Sequence, residues 1–369
     1  MRLMIALLLI SSPLLADTSE QISEIRKVDH FGQGNEAALK AVQDLSKSNP
    51  DALVPILEAM NGANPIALNW LQGAFESVAG KALDNEALPA DILEKFTLDR
   101  TQNARARRLA YDWLLHVDPQ AEQRLLPNML DDPAYELRRD AVDRVIKEAK
   151  NAADGAALPL WKQALAGAVD EDHVKDISKA MEKLGGEPVN LIDHFGYLTE
   201  WYLIGPFDNR EEKGFDVVYP PEKEIDLSAT YDGMKGEVAW QKFESEEKDG
   251  KFDIRKLTEH HKGAIDYAYT EFESAVDQEV EVRLSLKNAW KLWVNGELLF
   301  EREEYHRGQR FDQYQVPATL KAGTNTILLK VCQNEQDQSW AQEWEFKLRI
   351  CDPSGRAIHP ADSQKAAAR

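Results

Sequence analysis

Asn295-Gly296 sits between two apolar runs, Lys291-Leu-Trp-Val294 and Glu297-Leu-Leu-Phe300. Both central residues of a type I′ turn need positive φ, which Asn and Gly tolerate best, so the spacing predicts a tight β-hairpin. Downstream, Leu320-Lys-Ala-Gly323 turns into Thr324-Asn-Thr-Ile-Leu-Leu-Lys-Val331, rich in aliphatic side chains. Glu279-Val-Glu-Val-Arg-Leu-Ser-Leu286 and Trp344-Glu-Phe-Lys-Leu-Arg-Ile350 alternate apolar and polar residues. Such strands bury one face and wet the other, the pattern of an antiparallel β-sandwich. Trp201-Tyr-Leu-Ile-Gly-Pro-Phe-Asp-Asn209 is expected to open this half as a strand ending in a Gly-Pro turn. Residues 222–262, charged and loosely patterned, are expected to form loops and short edge strands.

Upstream the period is helical. From about Glu20 to Leu184 apolar residues recur at helix spacing, as in Ala37–Leu45, Ala52–Met60 and Asn64–Phe75. Arg107-Arg-Leu-Ala110 is echoed thirty-one residues later by Arg138-Arg-Asp-Ala141. Asp132-Pro133 lies between them as a turn into the next helix. The Asp132–Ile146 unit resembles a HEAT repeat, in which a turn Asp caps a helix and small residues let paired helices pack closely. A helix pair cannot bury its apolar face alone, so the resemblance implies a stacked α-solenoid; an irregular helical bundle is the alternative. Trp70, Trp113 and Trp161 read as core, and Asp170-Glu-Asp-His173 as a charged helix start rather than a metal cluster.

The order Trp293-Val-Asn-Gly296, Glu297-Leu-Leu-Phe300, His306, Gly308, Phe311-Asp312, Leu320-Lys-Ala-Gly323, Asn325, Leu328-Leu-Lys-Val331 resembles the galactose-binding-domain-like jelly roll. That family includes the non-catalytic sugar-binding domain of family 2 glycoside hydrolases. The resemblance spans roughly residues 264–352. It implies a fold and a binding role, and leaves the ligand open because the fold hosts many. The hydrolase module's glycine pair and aromatic after the histidine are replaced by Arg307-Gly308-Gln309-Arg310, so the hydrolase chemistry is not expected to carry over.

The chain has 369 residues, long enough for two domains. Its net charge of −20 argues against nucleic acid and anionic membrane surfaces as partners. Met1–Ile10, one positive charge followed by an apolar run, and Ser11–Ala16 before an acidic stretch, have the layout of a secretory signal peptide. Cleavage would leave no membrane insertion and a secreted or periplasmic protein. Both cysteines, Cys332 and Cys351, read as reduced. If 326–332 and 344–351 formed a hairpin, they would lie about 20 Å apart, beyond disulfide reach.

Sugar recognition needs an exposed aromatic face and planar polar groups. Trp293 points away from Trp290, Leu292 and Val294, and is either an exposed platform or the cover of a second sheet face. His306, Arg307, Arg310 and Asp312 share one loop, in which Arg forks suit carboxylates, acidic sugars included; an Arg310–Asp312 pair that merely holds the loop is the alternative. Asn334, Glu335 and Trp340 belong to the amide-rich loop Gln333–Glu343, which is either a recognition set or a solvated Ω-like loop. No nucleophile elbow, His-Glu-x-x-His or phosphate loop occurs. No cofactor is indicated beyond a structural Ca²⁺, for which no Asp-x-Asp-x-Asp-Gly loop exists.

Four segments follow: a signal peptide at 1–16, a HEAT-like helical domain at 17–190, a jelly-roll sandwich at 195–355, and a disordered tail at 356–369. The expected function is an exported, non-catalytic adaptor, its sandwich binding a glycan or glycoconjugate and its helices a protein. The alternatives are a structural protein–protein module without sugar binding, or a glycan-processing enzyme.

Overall fold

The structure is a computed structural model describing residues 13–258 and 261–361. The apolar run read as a signal peptide, His260, and the end of the expected tail lie outside the described residues. The chain divides into two compact units, residues 1–173 and 174–369. The first is helical and the second is built on antiparallel sheets.

In the helical unit, Asn side chains start two of the helices. Asn64 Oδ1 accepts from the N–H groups of Ile66 and Ala67 at the head of Pro65–Asp84. Asn103 Oδ1 does the same for Arg105 and Ala106 at the head of Ala104–Val117. Each satisfies backbone donors that have no partner inside the helix. The echoed arginines converge on one turn. Arg107 forks onto the Asp132 carboxylate at 2.7 and 2.8 Å, while Arg138 Nε donates to the Asp132 carbonyl at 2.8 Å. Asp132 also accepts from Ala134 N–H, ahead of helix Tyr135–Asn151. Trp161 is buried, and Trp70 and Trp113 pack against the core. Helix Glu171–Lys183 starts with acidic residues, of which Asp172 pairs with Arg139 at 2.7 Å.

The sheet unit contains β1 (Glu200–Asp208), β2 (Thr230–Gly233), β3 (Gly236–Ala239), β4 (Gln241–Glu244), β5 (Phe252–Asp253) and β6 (Ala264–Ser274). It continues with β7 (Gln278–Leu286), β8 (Trp290–Val294), β9 (Glu297–Arg302), β10 (Tyr314–Leu320), β11 (Gly323–Gln333) and β12 (Glu345–Cys351). One sheet has the order β4-β1-β6-β11-β8-β9, a second β10-β7-β12-β5, and β2–β3 is a separate hairpin. Ladders within them are antiparallel. Between the two larger sheets lies one core, to which one contributes Trp201, Ala268, Trp290 and Leu329 and the other Val282, Leu284, Phe346 and Leu348.

The expected hairpin is present. Asn295 and Gly296 have φ of 53° and 79°, and Val294 pairs with Glu297 across the turn. Asn295 Nδ2 donates to Asn325 Oδ1 at 2.9 Å. Asn325 is fully buried and also bonds the Lys321 N–H and the Lys321 and Gly323 carbonyls, so it holds the β10–β11 turn.

Several expectations need correcting. Gly205-Pro206 does not end β1; the pairing with β6 slips between Ile204 and Phe207, leaving a bulge inside a longer strand. Cys332 and Cys351 are free and buried as expected, but the hairpin premise fails because β11 and β12 belong to different sheets. The outer face of the six-stranded sheet is dry along its central strands and wet at its edges, where Leu298 is exposed. Phe207, Phe215, Trp240, Tyr267, Trp293 and Leu328 share a second apolar cluster there. The tail starts later than residue 356, because Ala357 bridges to Cys351 and Ile358 N–H donates to the Ile350 carbonyl.

Candidate functional site

The carboxyl end of β1, the end of β11 and the loop after β9 meet at one rim of the sheet unit. Asn209, fully buried, ties them together. Its Nδ2 donates to the Tyr305 hydroxyl (3.0 Å) and the Gln333 carbonyl (3.1 Å), and its Oδ1 accepts from Gly214 N–H (3.1 Å). A buried amide with all these bonds made fixes the spacing of the loops it joins.

Four of the expected residues come together on that frame. His306 Nε2 lies 2.7 Å from Asn334 Oδ1, and Asn334 Nδ2 donates to Glu212 at 2.9 Å. An ionised carboxylate only accepts, so the amide nitrogen must face Glu212, its oxygen the imidazole, and Nε2 must carry the proton. The His306 ring stands edge-on to Trp340, centroids 5.4 Å apart and planes at 80°. Trp340 is 59% exposed, so much of its indole meets solvent. Glu335 accepts from the Glu211 N–H at 2.7 Å, closing the rim on the other side.

Glu211, Glu212 and His306 all have positive φ, 60°, 60° and 54°. Non-glycine residues rarely occupy this region, and three gathered at one rim mark a backbone held in place by its surroundings.

The remaining candidates are elsewhere or otherwise engaged. Trp293 is a correction: at 8% exposure it covers the second face of the sheet and offers no platform. Asp312 does not pair with Arg310. It accepts from Arg283 (2.9 Å) and Arg349 (2.5 Å), a nearly buried triad under Phe195 and Phe311 that serves the fold. Arg310 is exposed, and its carbonyl accepts from Ser285 Oγ. Arg307 is exposed, with its guanidinium on Glu304 at 3.1 Å. The arginine forks of this loop therefore do not assemble a carboxylate receptor.

Asn209, Glu212 and Tyr305 join the site without a local motif to mark them. The only trace was Asp208-Asn209 at a strand end, since nothing local links residue 212 to residue 334. Electrostatically the rim is acidic. Arg210 forks onto Asp208 and holds that carboxyl down at about 2, and Lys213 pairs with Glu211. Burial, then the neighbouring charges of Asp216 and Glu212, pushes the Glu303 carboxyl up. Among the described residues, no three His, Cys, Asp or Glu side chains are grouped to hold a metal ion. Nor, among them, is any helix long and apolar enough to cross a membrane.

No family model matches the chain, and no curated protein matches it. Among solved structures it is similar to a family GH31 α-xylosidase from Xanthomonas citri, at 12% identity and TM-score 0.20, over 45% of this chain and 16% of that one. A β-glucosidase from Kluyveromyces marxianus matches at 9% identity and TM-score 0.27, over 80% and 37%. An alkylpurine DNA glycosylase from Pseudomonas fluorescens, bound to DNA containing an abasic-site analogue, matches at 10% identity and TM-score 0.21, over 93% and 95%. The chain thus spans well under half of either glycosidase. Likeness at this level carries neither a fold family nor an activity.

Proposed function

We propose that this protein is an exported, non-catalytic adaptor whose sheet unit binds a glycan or glycoconjugate at the Trp340 rim and whose helices contact a protein. In this reading the sheets form a jelly roll of the galactose-binding kind, the helices a HEAT-like solenoid, and residues 1–16 a signal peptide leading to a secreted or periplasmic location. The observation that carries it is the half-exposed indole of Trp340 standing against a hydrogen-bonded imidazole–amide–carboxylate chain. An aromatic face takes the C–H surface of a pyranose, and fixed planar polar groups beside it take hydroxyls. The buried Asn209 amide holds the loops that carry this site in fixed spacing, as binding requires.

The test is titration of the full chain and its Trp340→Ala variant on a glycan array. Saturable binding that the substitution abolishes is the expected result. A wild-type protein that saturates with no glycan favours the structural-module reading, and release of reducing ends from any polysaccharide would reveal an enzyme.

A further inference from the structure

The rim's cations are spoken for, and three of its carboxylates, Glu212, Glu303 and Glu335, are not. Arg210 is forked on Asp208, Lys213 sits on Glu211, and Arg307 and Arg302 share Glu304. Lys291, which faces the same loop, is held by Glu301 at 2.7 Å and Asp216 at 3.4 Å. Glu212 receives only the neutral amide of Asn334, and Glu335 only a backbone N–H. Among the described residues, neither they nor Glu303 forms an ion pair. The chain that runs from the Trp340 ring through His306 and Asn334 therefore ends in an oriented carboxylate with no ion-pair partner.

Resting on the sugar-binding reading above, we infer that this site selects a glycan bearing a free ammonium group, an amino sugar, and that Glu212 is the residue that reads the charge. Asn334 holds Glu212 from one side and leaves its remaining lone pairs for an N⁺–H donor, the geometry of a strong charge-assisted hydrogen bond. Trp340, at the other end of that chain of contacts, offers the exposed aromatic side chain for the sugar ring. An N-acetylated sugar brings no charge to this position, and a uronic acid brings the wrong sign.

The experiment titrates the full chain at physiological salt with tetramers of glucosamine, N-acetylglucosamine and galacturonic acid. Glu212→Gln, Trp340→Ala and Glu244→Gln variants run in parallel. Glu244 lies on β4, beside the opposite end of β1 from the rim, and reports attraction to the acidic surface in general. The expected result is saturable binding of the glucosamine tetramer alone, weakened tenfold or more by Glu212→Gln and by Trp340→Ala and unchanged by Glu244→Gln. Equal or tighter binding of either other tetramer, lost on Trp340→Ala, overturns charge selection and leaves the sugar site standing. Equal weakening by Glu244→Gln overturns the role of Glu212. If no tetramer binds, the inference fails together with the reading of the site.

Discussion

The imidazole of His306 meets the indole of Trp340 edge to face, 5.4 Å between centroids, and is itself fixed by Asn334. Trp340 is therefore oriented by a ring that the sheet unit's buried amides position. Two classes of variant should separate. Trp340→Ala removes an exposed side chain and should change stability by no more than ~0.5 kcal/mol while abolishing ligand capture. Asn334→Ala deletes a buried hub, leaves Glu212 and His306 without their shared partner, and should cost about 1–3 kcal/mol as well as binding. Urea unfolding beside ligand titration checks both; equal destabilisation by the two would contradict this division.

Trp293 offers the converse case. It lies in the outer cluster with Phe215 and Leu328, on a sheet face that the 209–222 segment covers. Trp293→Ala should cost about 3–5 kcal/mol and leave the affinity of the remaining folded protein unchanged. A near-neutral unfolding midpoint would show that this face is not a core.

The cover itself hangs on Lys330. This fully buried ammonium donates to the Phe215 and Val217 carbonyls at 2.8 and 2.9 Å and pairs with Glu222 at 2.9 Å. Its charge is also shared with the faces of Tyr219 and Tyr267. Glu222→Gln strands a buried cation and should cost about 3–5 kcal/mol, with faster proteolysis within 209–222. Lys330→Met combined with Glu222→Gln removes both charges and should be milder than Glu222→Gln alone; additive losses would argue against a coupled pair.

These contacts explain what could be read from the chain and what could not. The Asn295-Gly296 hairpin and the alternating β7 and β12 were legible because a turn and a period of two are local properties. Burial of Trp293 was not, since its cover comes from residues some eighty positions upstream that have no period of their own. For Asp312 the sequence neighbour Arg310 suggested itself, whereas the true partners, Arg283 and Arg349, lie on β7 and β12 and are brought together only by strand pairing. The rim was half legible: His306, Asn334, Glu335 and Trp340 carried recognisable chemistry, but Glu212 acquires its role only through a contact 122 positions long.

Asp266 makes a pH-dependent prediction. It is 1% exposed and lies opposite the β1 bulge, in the stretch where pairing slips between Ile204 and Phe207. Its Oδ2 is 3.4 Å from Thr258 Oγ1, and Oδ1 has no hydrogen-bond partner. Gly205 leaves it room, since a Cβ there would stand 1.9 Å from Oδ1. Burial lifts this carboxyl to about 8, against a small lowering from Thr258. The folded chain thus keeps a proton that the unfolded chain releases near 4. The corresponding stability is fully present below pH 4, is lost as pH rises towards 8, and changes no further above it. Asp266→Asn keeps the shape and cannot ionise. Relative to the parent it should gain roughly 1 kcal/mol per pH unit across that window, reaching several kcal/mol by pH 8. Urea midpoints of both proteins at pH 5 and pH 8 measure the difference, in which all other titrating groups cancel. Parallel profiles would mean that Asp266 ionises as freely in the folded chain as in water.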